Sequence, residues 1–162
     1  MGLNAYLYAA DENNKYEGSC DINPHEGSIE IWGWDHKVDS PRDAASGLPT
    51  GKRRHHPFTV IKPVDKASPV MMQGLVDNVN VTEWKLRIYR PSKTGAEEEY
   101  YNIELFDANI CSIHQEMLNN KYPENMQHPF RERVAFTYGK VIWTWMIDGN
   151  KTAEDSWRVQ RG

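Results

Sequence analysis

The chain is short of cysteine, of long apolar runs and of net positive charge, and each shortage removes a class of protein. Two cysteines in 162 residues, Cys20 and Cys111, supply neither a metal-ligand spacing nor a disulfide framework. Both read as reduced, partly buried thiols in strand-like sequence. No apolar stretch approaches the ~20 residues of a membrane helix, so no membrane insertion is expected. The opening MGLNAYLYAADEN has no basic region ahead of its apolar residues and reads as no cleavable leader. Tyr6 stands where a myristoylation signal needs Ser or Thr. A net charge of −4 runs against a dedicated nucleic-acid binder. Catalytic patterns are also missing: no serine sits in a G-x-S-x-G elbow, and no histidine pair has HExxH or HxH spacing. The expectation is therefore no enzyme, no metal, no cofactor and no nucleic acid.

What is present is a soluble globule, 39% hydrophobic and 26% charged, too apolar for disorder. Its length suits a single domain spanning 1–162, large enough to bury about two-thirds of its unfolded surface. The most informative stretch is Gly51–Val70, GKRRHHPFTVIKPVDKASPV. Pro57 and Pro63 bracket a short strand, FTVIK, since proline lacks the N–H that a sheet ladder requires. Ser68 then reads as a helix N-cap and Pro69 as the first helical residue, which starts a helix over Pro69–Asn78. Its Met71, Met72, Leu75 and Val76 would face the core or a neighbour.

Strand signals fill the rest. Leu3–Ala9 reads as a first strand at a sheet edge. Gly27–His36, GSIEIWGWDH, reads as one continuous strand in which Gly33 marks a bulge or a close backbone approach. Val38–Arg54 reads as a long loop, which in a compact protein is usually functional or mobile. Val79–Arg90 and Glu99–Phe106 form an antiparallel pair across the turn PSKTGAEE, with Trp84, Leu86 and Ile88 facing Tyr101, Ile103 and Leu105. Ala108–Met117 follows. Arg133–Tyr138 and Lys140–Ile147 read as a meander, Asp148-Gly149 as a hairpin turn, and Ser156–Val159 as a short returning strand. Many short strands with one short helix imply a mainly β fold, an antiparallel β-barrel of two sheets with one flanking α-helix.

The residues also resemble a known family. His25-Glu26-Gly27 with Ile29-Glu30-Ile31, Gly51-Lys52 with His56-Pro57-Phe58, and Lys62 with Asp65-Lys66 and Ser68-Pro69 fit its pattern. So do Tyr89-Arg90, Glu98-Glu99-Tyr100-Tyr101, Tyr138-Gly139-Lys140, Trp143-Thr144-Trp145 and Asp155-Ser156-Trp157. Each piece is weak alone; in this order and at these spacings they resemble Hcp, the hemolysin-coregulated tube protein of bacterial type VI secretion systems. The tail beyond Trp157 follows no such pattern, and the loop Val38–Arg54 is variable in the family. The resemblance implies a non-catalytic barrel that forms homohexameric rings and stacks them into a tube. Its implied partners are further copies of itself, a spike protein at the tube tip, a contractile sheath and secreted effector proteins held in the lumen. It implies residence in the bacterial cytoplasm before firing, then secretion to the extracellular space or a target cell without a signal peptide.

Candidate contact residues follow from charge and exposure. Asp39, Arg42, Asp43, Lys52, Arg53 and Arg54 are expected at a ring or stacking interface, where paired charges set register more than affinity. Glu97, Glu98 and Glu99 are a candidate opposing patch, and a plain wet hairpin end is the alternative. Asp35 is the candidate lumen-facing residue. The KRRHH run at Lys52–His56 has two further readings, a nucleic-acid patch or a solvated loop end. Two other functions stay open: a monomeric β-barrel binding a small ligand in its interior, and an enzyme using His55 or His56 with Asp65.

Overall fold

Alternation of apolar and polar side chains turns most of the chain into antiparallel strands. The structure, a computed structural model, describes residues 2–127 and 130–158. The strands are β1 (Asn4–Asp11), β2 (Lys15–Tyr16), β3 (Ile29–Ile31), β4 (Gly33–Asp35), β5 (Val38–Asp39), β6 (Arg54–His55) and β7 (Phe58–Pro63). After the helix α1 (Ser68–Val76) come β8 (Val81–Pro91), β9 (Glu97–Phe106), β10 (Asn109–Glu116), β11 (Arg131–Thr137), β12 (Lys140–Trp145) and β13 (Lys151–Ser156).

A seven-stranded sheet runs β13-β12-β9-β8-β1, with β2 and β3 both pairing with the far side of β1. A four-stranded sheet runs β10-β11-β7-β4, and β5-β6 form a separate ribbon. The mainly β class with one short helix is as expected. The two large sheets face each other without closing into one continuous hydrogen-bonded ring. Ala5, Leu7, Trp84, Leu86, Ile103 and Val141 from the larger sheet meet Phe58, Val60, Ile110, Val134 and Phe136 from the smaller. Each large apolar side chain here contributes roughly 1.5–3 kcal/mol of burial.

Several boundaries differ from the sequence expectation. The first strand is not an edge: β8 pairs along its whole length and β2 and β3 cover its other side. The single strand expected over Gly27–His36 divides at Trp32. Ile29–Ile31 pairs with β1, Gly33–Asp35 pairs with β7, and the Trp32 N–H donates to the Ile61 carbonyl at 2.8 Å. The run is thus a corner joining the two sheets. The expected meander of β11 and β12 is also absent. They lie in different sheets, and Gly139 N–H donates to the Phe106 carbonyl at 2.8 Å as the chain crosses over. The expected face-to-face pairs do form, as Leu86↔Ile103 and Ile88↔Tyr101.

The hairpin at Asp148-Gly149 is present, both residues having positive φ (53° and 90°), and its returning strand is Lys151–Ser156. Of the expected Ser156–Val159, Val159 lies outside the described residues, as does His128. Cys20 lies in a loop rather than a strand; Cys111 is exposed in β10, and both are free.

Ser68 does not cap α1. Ala67 occupies the N-cap and makes no side-chain cap bond, while the Ser68 hydroxyl turns toward the smaller sheet. It donates to Glu132 Oε1 at 2.6 Å and accepts from the Asp65 N–H at 2.9 Å and from Lys62 Nζ at 3.1 Å. Lys62, fully buried, also donates to Asp65 Oδ1 and the Pro63 carbonyl, both at 3.0 Å, and to Glu132. Burial pushes the Glu132 carboxyl up, but hydrogen bonds from Lys62, Ser68 and Gln115 outweigh it and hold it below the usual glutamate range. Met71 is buried and Leu75 packs at the core margin, whereas Val76 points outward. At the other end Asn78 (φ 52°) closes a Schellman turn, its N–H reaching the Leu75 carbonyl while the Val79 N–H reaches that of Gly74.

Candidate functional site

The loop expected over Val38–Arg54 is a structured arm. β5 and β6 pair Val38 with His55 and Asp39 with Arg54, and a second bridge joins Arg42 to Pro49. At the tip the Asp43 carboxylate accepts from the Ser46 N–H and hydroxyl at 2.7 and 2.8 Å. These bonds hold its pKa below the usual aspartate range. Residues 42–52 are all exposed, with Leu48 at the tip.

The arm's charges divide into two groups. Asp43 is used in its own turn. Asp39 accepts from His56 Nε2 at 2.9 Å, which lowers its pKa, and Lys37 stands 3.7 Å away. Arg53 donates through Nε and Nη2 to the two oxygens of Asp155, at 2.6 and 2.9 Å. Arg42, Lys52 and Arg54 make no ion pair among the described residues. The outward charge left on the arm is therefore cationic.

The acidic hairpin is spent in the same way. Glu97 accepts from His25 Nε2 at 2.9 Å, Glu98 from Arg90 at 3.0 Å, and Glu99 lies 4.0 Å from the Arg87 guanidinium. His25 is buried, stacked on Tyr6 (ring centroids 4.0 Å apart) and tilted against Tyr89, and it accepts the Tyr8 hydroxyl at Nδ1. The His25-Glu26-Gly27 turn thus folds over the outer face of β1 and β8. Between the tips of the β8–β9 and β12–β13 hairpins lies an open cleft of ≈ 820 Å³, lined among others by Arg90, Lys93, Glu97 and Asp148. Asp35 is exposed at the end of β4.

His55 and His56 face opposite environments, as strand neighbours should, but neither meets Asp65, which is bound to Lys62. His55 is buried and lies between Tyr138 and Asp155. Its Nδ1 is 2.7 Å from the Tyr138 hydroxyl and its Nε2 is 2.7 Å from Asp155 Oδ2. The same hydroxyl is 2.8 Å from His36 Nε2, and Trp143 Nε1 donates to His36 Nδ1 at 3.4 Å. A carboxylate, an imidazole and a hydroxyl in line suggest a charge relay. Tyr138 is only 1% exposed and has an imidazole on either side, so the line has no open position for a substrate. Burial alone would raise the Asp155 carboxyl; the bonds from Arg53 and His55 outweigh it and hold it low. Burial, then competition with the neighbouring His55 imidazole for a proton, pushes His36 down to about 4.

Comparison with known proteins gives one consistent result. A family model described as "Type VI secretion system effector, Hcp" matches residues 6–145. The "Major exported protein" of Pseudomonas aeruginosa is 39% identical over 134 residues, covering 83% of this chain and 77% of that protein. Among solved structures, Hcp1 of E. coli EAEC 042 superposes with a TM-score of 0.84 at 29% identity, over 96% of this chain and 99% of that one. The secreted protein Hcp3 of P. aeruginosa gives 0.79 at 26% identity, over 98% and 100%.

Proposed function

This chain belongs to the Hcp family of type VI secretion systems, and from that premise we propose that it is a structural subunit of the secretion tube. In this reading six copies close a ring around a lumen, and rings stack end on end. The spike protein sits at the tip, the contractile sheath surrounds the tube, and effector proteins travel inside. The protein then leaves the cytoplasm for the extracellular space or a target cell. The observation that carries the reading is likeness along nearly the whole length, since the E. coli Hcp1 match leaves almost no part of either chain uncovered.

The surface supports it. The larger sheet ends in β13 and the smaller in β10, each pairing with one neighbouring strand among the described residues, and such edge strands favour pairing with another chain. Large apolar side chains stand exposed at Trp32 and Trp34 beside the corner and at Met117, Tyr122, Met126 and Phe130 around the β10–β11 connection. A ring of identical subunits makes heterologous contacts that bury two different patches of each copy. Asp35 is assigned to the lumen wall. The arm, with Asp39, Arg42, Asp43, Lys52, Arg53 and Arg54, is assigned to a ring or stacking contact. Within that set Arg42, Lys52 and Arg54 supply the outward charge, while Asp39, Asp43 and Arg53 shape the arm. Glu97, Glu98 and Glu99 remain its candidate counter-surface, with their own-chain partners shared across the contact.

Size-exclusion chromatography with light scattering, followed by negative-stain imaging, tests this directly. The expected result is a species of about six subunit masses and ring-shaped particles. A particle of one subunit mass at every concentration would overturn it and return the monomeric ligand-binding barrel.

A further inference from the structure

With both imidazoles neutral, the cluster at the root of the arm admits a single placement of its hydrogens. Trp143 Nε1 has only a proton to give, so His36 Nδ1 must be an acceptor. In a neutral imidazole that puts the proton on Nε2, which donates to the Tyr138 oxygen at 2.8 Å. At the far end Asp155 is ionised and only accepts, so His55 carries its proton on Nε2 and donates at 2.7 Å. His55 Nδ1 is then an acceptor, and the Tyr138 O–H donates to it at 2.7 Å. Arg53 closes the line with two bonds to Asp155. From Trp143 to Asp155 every bond points the same way, and Arg53 donates to that carboxylate from the other side.

We propose that this one-way chain, Trp143–His36–Tyr138–His55–Asp155, anchored at its end by Arg53, is a latch that holds the root of the arm to β12 and β13 and opens when an imidazole takes up a second proton. A proton on His36 Nδ1 sets two N–H groups against each other at Trp143. A proton on His55 Nδ1 leaves the buried Tyr138 O–H without an acceptor, at the cost of an unmade hydrogen bond. The charges facing the pair come from every neighbouring element. Asp35 on β4 favours a cationic His36; His55 and His56, from the arm's return strand, oppose it. Asp155 on β13 favours a cationic His55, but Arg53 already neutralises that carboxylate. Phe58 on β7 packs tilted against the His36 ring, and Trp157 after β13 stacks on the His55 ring. His56, Asp39 and Lys37 pair among themselves at the same root. The inference concerns a single chain and does not depend on ring formation.

Linkage sets the size of the effect. Freeing His36 from about 4 to its ordinary 6.5 favours the open root about 30-fold more at pH 5 than at pH 8. Hydrogen exchange of the full chain, corrected for the intrinsic pH dependence of exchange, reads this at the His56 amide, which donates to the Lys37 carbonyl. Arm protection should fall about 30-fold from pH 8 to pH 5, while amides of β8 and β9 stay level. In His36→Phe, which keeps a ring but cannot titrate, the arm should show no such fall. A flat profile in the unaltered chain, or an equal fall in the variant, overturns the latch. Nitrogen-15 imidazole spectra of the unaltered chain at pH 7 give an independent reading even if that variant fails to fold. Both rings should be neutral with the proton on Nε2. A cationic ring or an Nδ1–H tautomer at either position would refute the proposal.

Discussion

Lys62 places a full positive charge where solvent does not reach, between Asp65 and Glu132 and beside the Ser68 hydroxyl. One ammonium thus serves two carboxylates, and Gln115 donates to the remaining Glu132 oxygen at 2.8 Å. Removing the cation while keeping its bulk, as in Lys62→Met, leaves that negative charge buried and uncompensated. The expected loss is about 3–5 kcal/mol of unfolding free energy, read by denaturant titration; a loss below about 1 kcal/mol would mean that water replaces the ammonium. The same site sets an acid limit. Because the folded chain holds Glu132 below its unfolded value, its contribution is complete above about pH 4.5. It then disappears as pH falls through the folded value, and Glu132→Gln should flatten that part of the stability profile. A backbone approach at Gly18 is comparably strict. A Cβ there would lie 2.3 Å from the Ser28 carbonyl oxygen, so Gly18→Ala should unfold the β2–β3 region, seen as lost hydrogen-exchange protection at Ile29 and Ile31.

Helix α1 shows how packing overrides propensity. Alanine normally gains about 1 kcal/mol over glycine inside a helix. At Gly74, however, a Cβ would sit 2.8 Å from the Tyr16 hydroxyl and 3.2 Å from Val79 Cγ2, and Tyr16 is too deeply buried to step aside. Overpacking of this kind costs about 1–3 kcal/mol, so Gly74→Ala should lower the melting temperature; a rise would show that Tyr16 has room. The element scale is also where sequence reading succeeds and fails for physical reasons. Strand identity was legible because alternation at Val81–Pro91 and Arg131–Thr137 reports a one-sided core, and Asp148-Gly149 announces its own turn. The helix start was placed within one residue, yet the Ser68 hydroxyl was assigned to the wrong partner, because Glu132 lies 64 residues away. The corner at Trp32 was hidden because the residues on either side are extended, so the alternation runs on while the pairing partner changes. Tyr138-Gly139 resembles a tight turn and is a crossover, since Gly139 bonds to Phe106 rather than across a hairpin. Of the candidate site, the arm's position and composition could be read, but not which charges remain outward. Arg53–Asp155 and His25–Glu97 are joined across 102 and 72 residues, and no local pattern marks such pairs.

At the scale of the assembled molecule, the arm's outward cations predict a salt-dependent contact. Reversing Arg42, Lys52 and Arg54 together, and leaving Arg53 to hold Asp155, should alter filament formation most at low ionic strength. Charges at an exposed rim are screened within about 10 Å at 0.1 M. A change that ignores salt would place these residues outside the contact. Deleting Pro41–Pro49 removes the exposed tip but not the root, so rings should persist while filaments in electron micrographs shorten; filaments of unchanged length would free the arm from stacking. The corner at Ile29–Asp35 has a mechanical consequence of its own. Three residues bond into one layer, three into the other, and only Trp32 separates them. Tension applied to either layer therefore passes through the backbone to its opposite number before side-chain packing has to yield. Pulled from its ends in a force spectrometer, the subunit should rupture in one event rather than peel apart sheet by sheet, a useful property in the tube subunit proposed above.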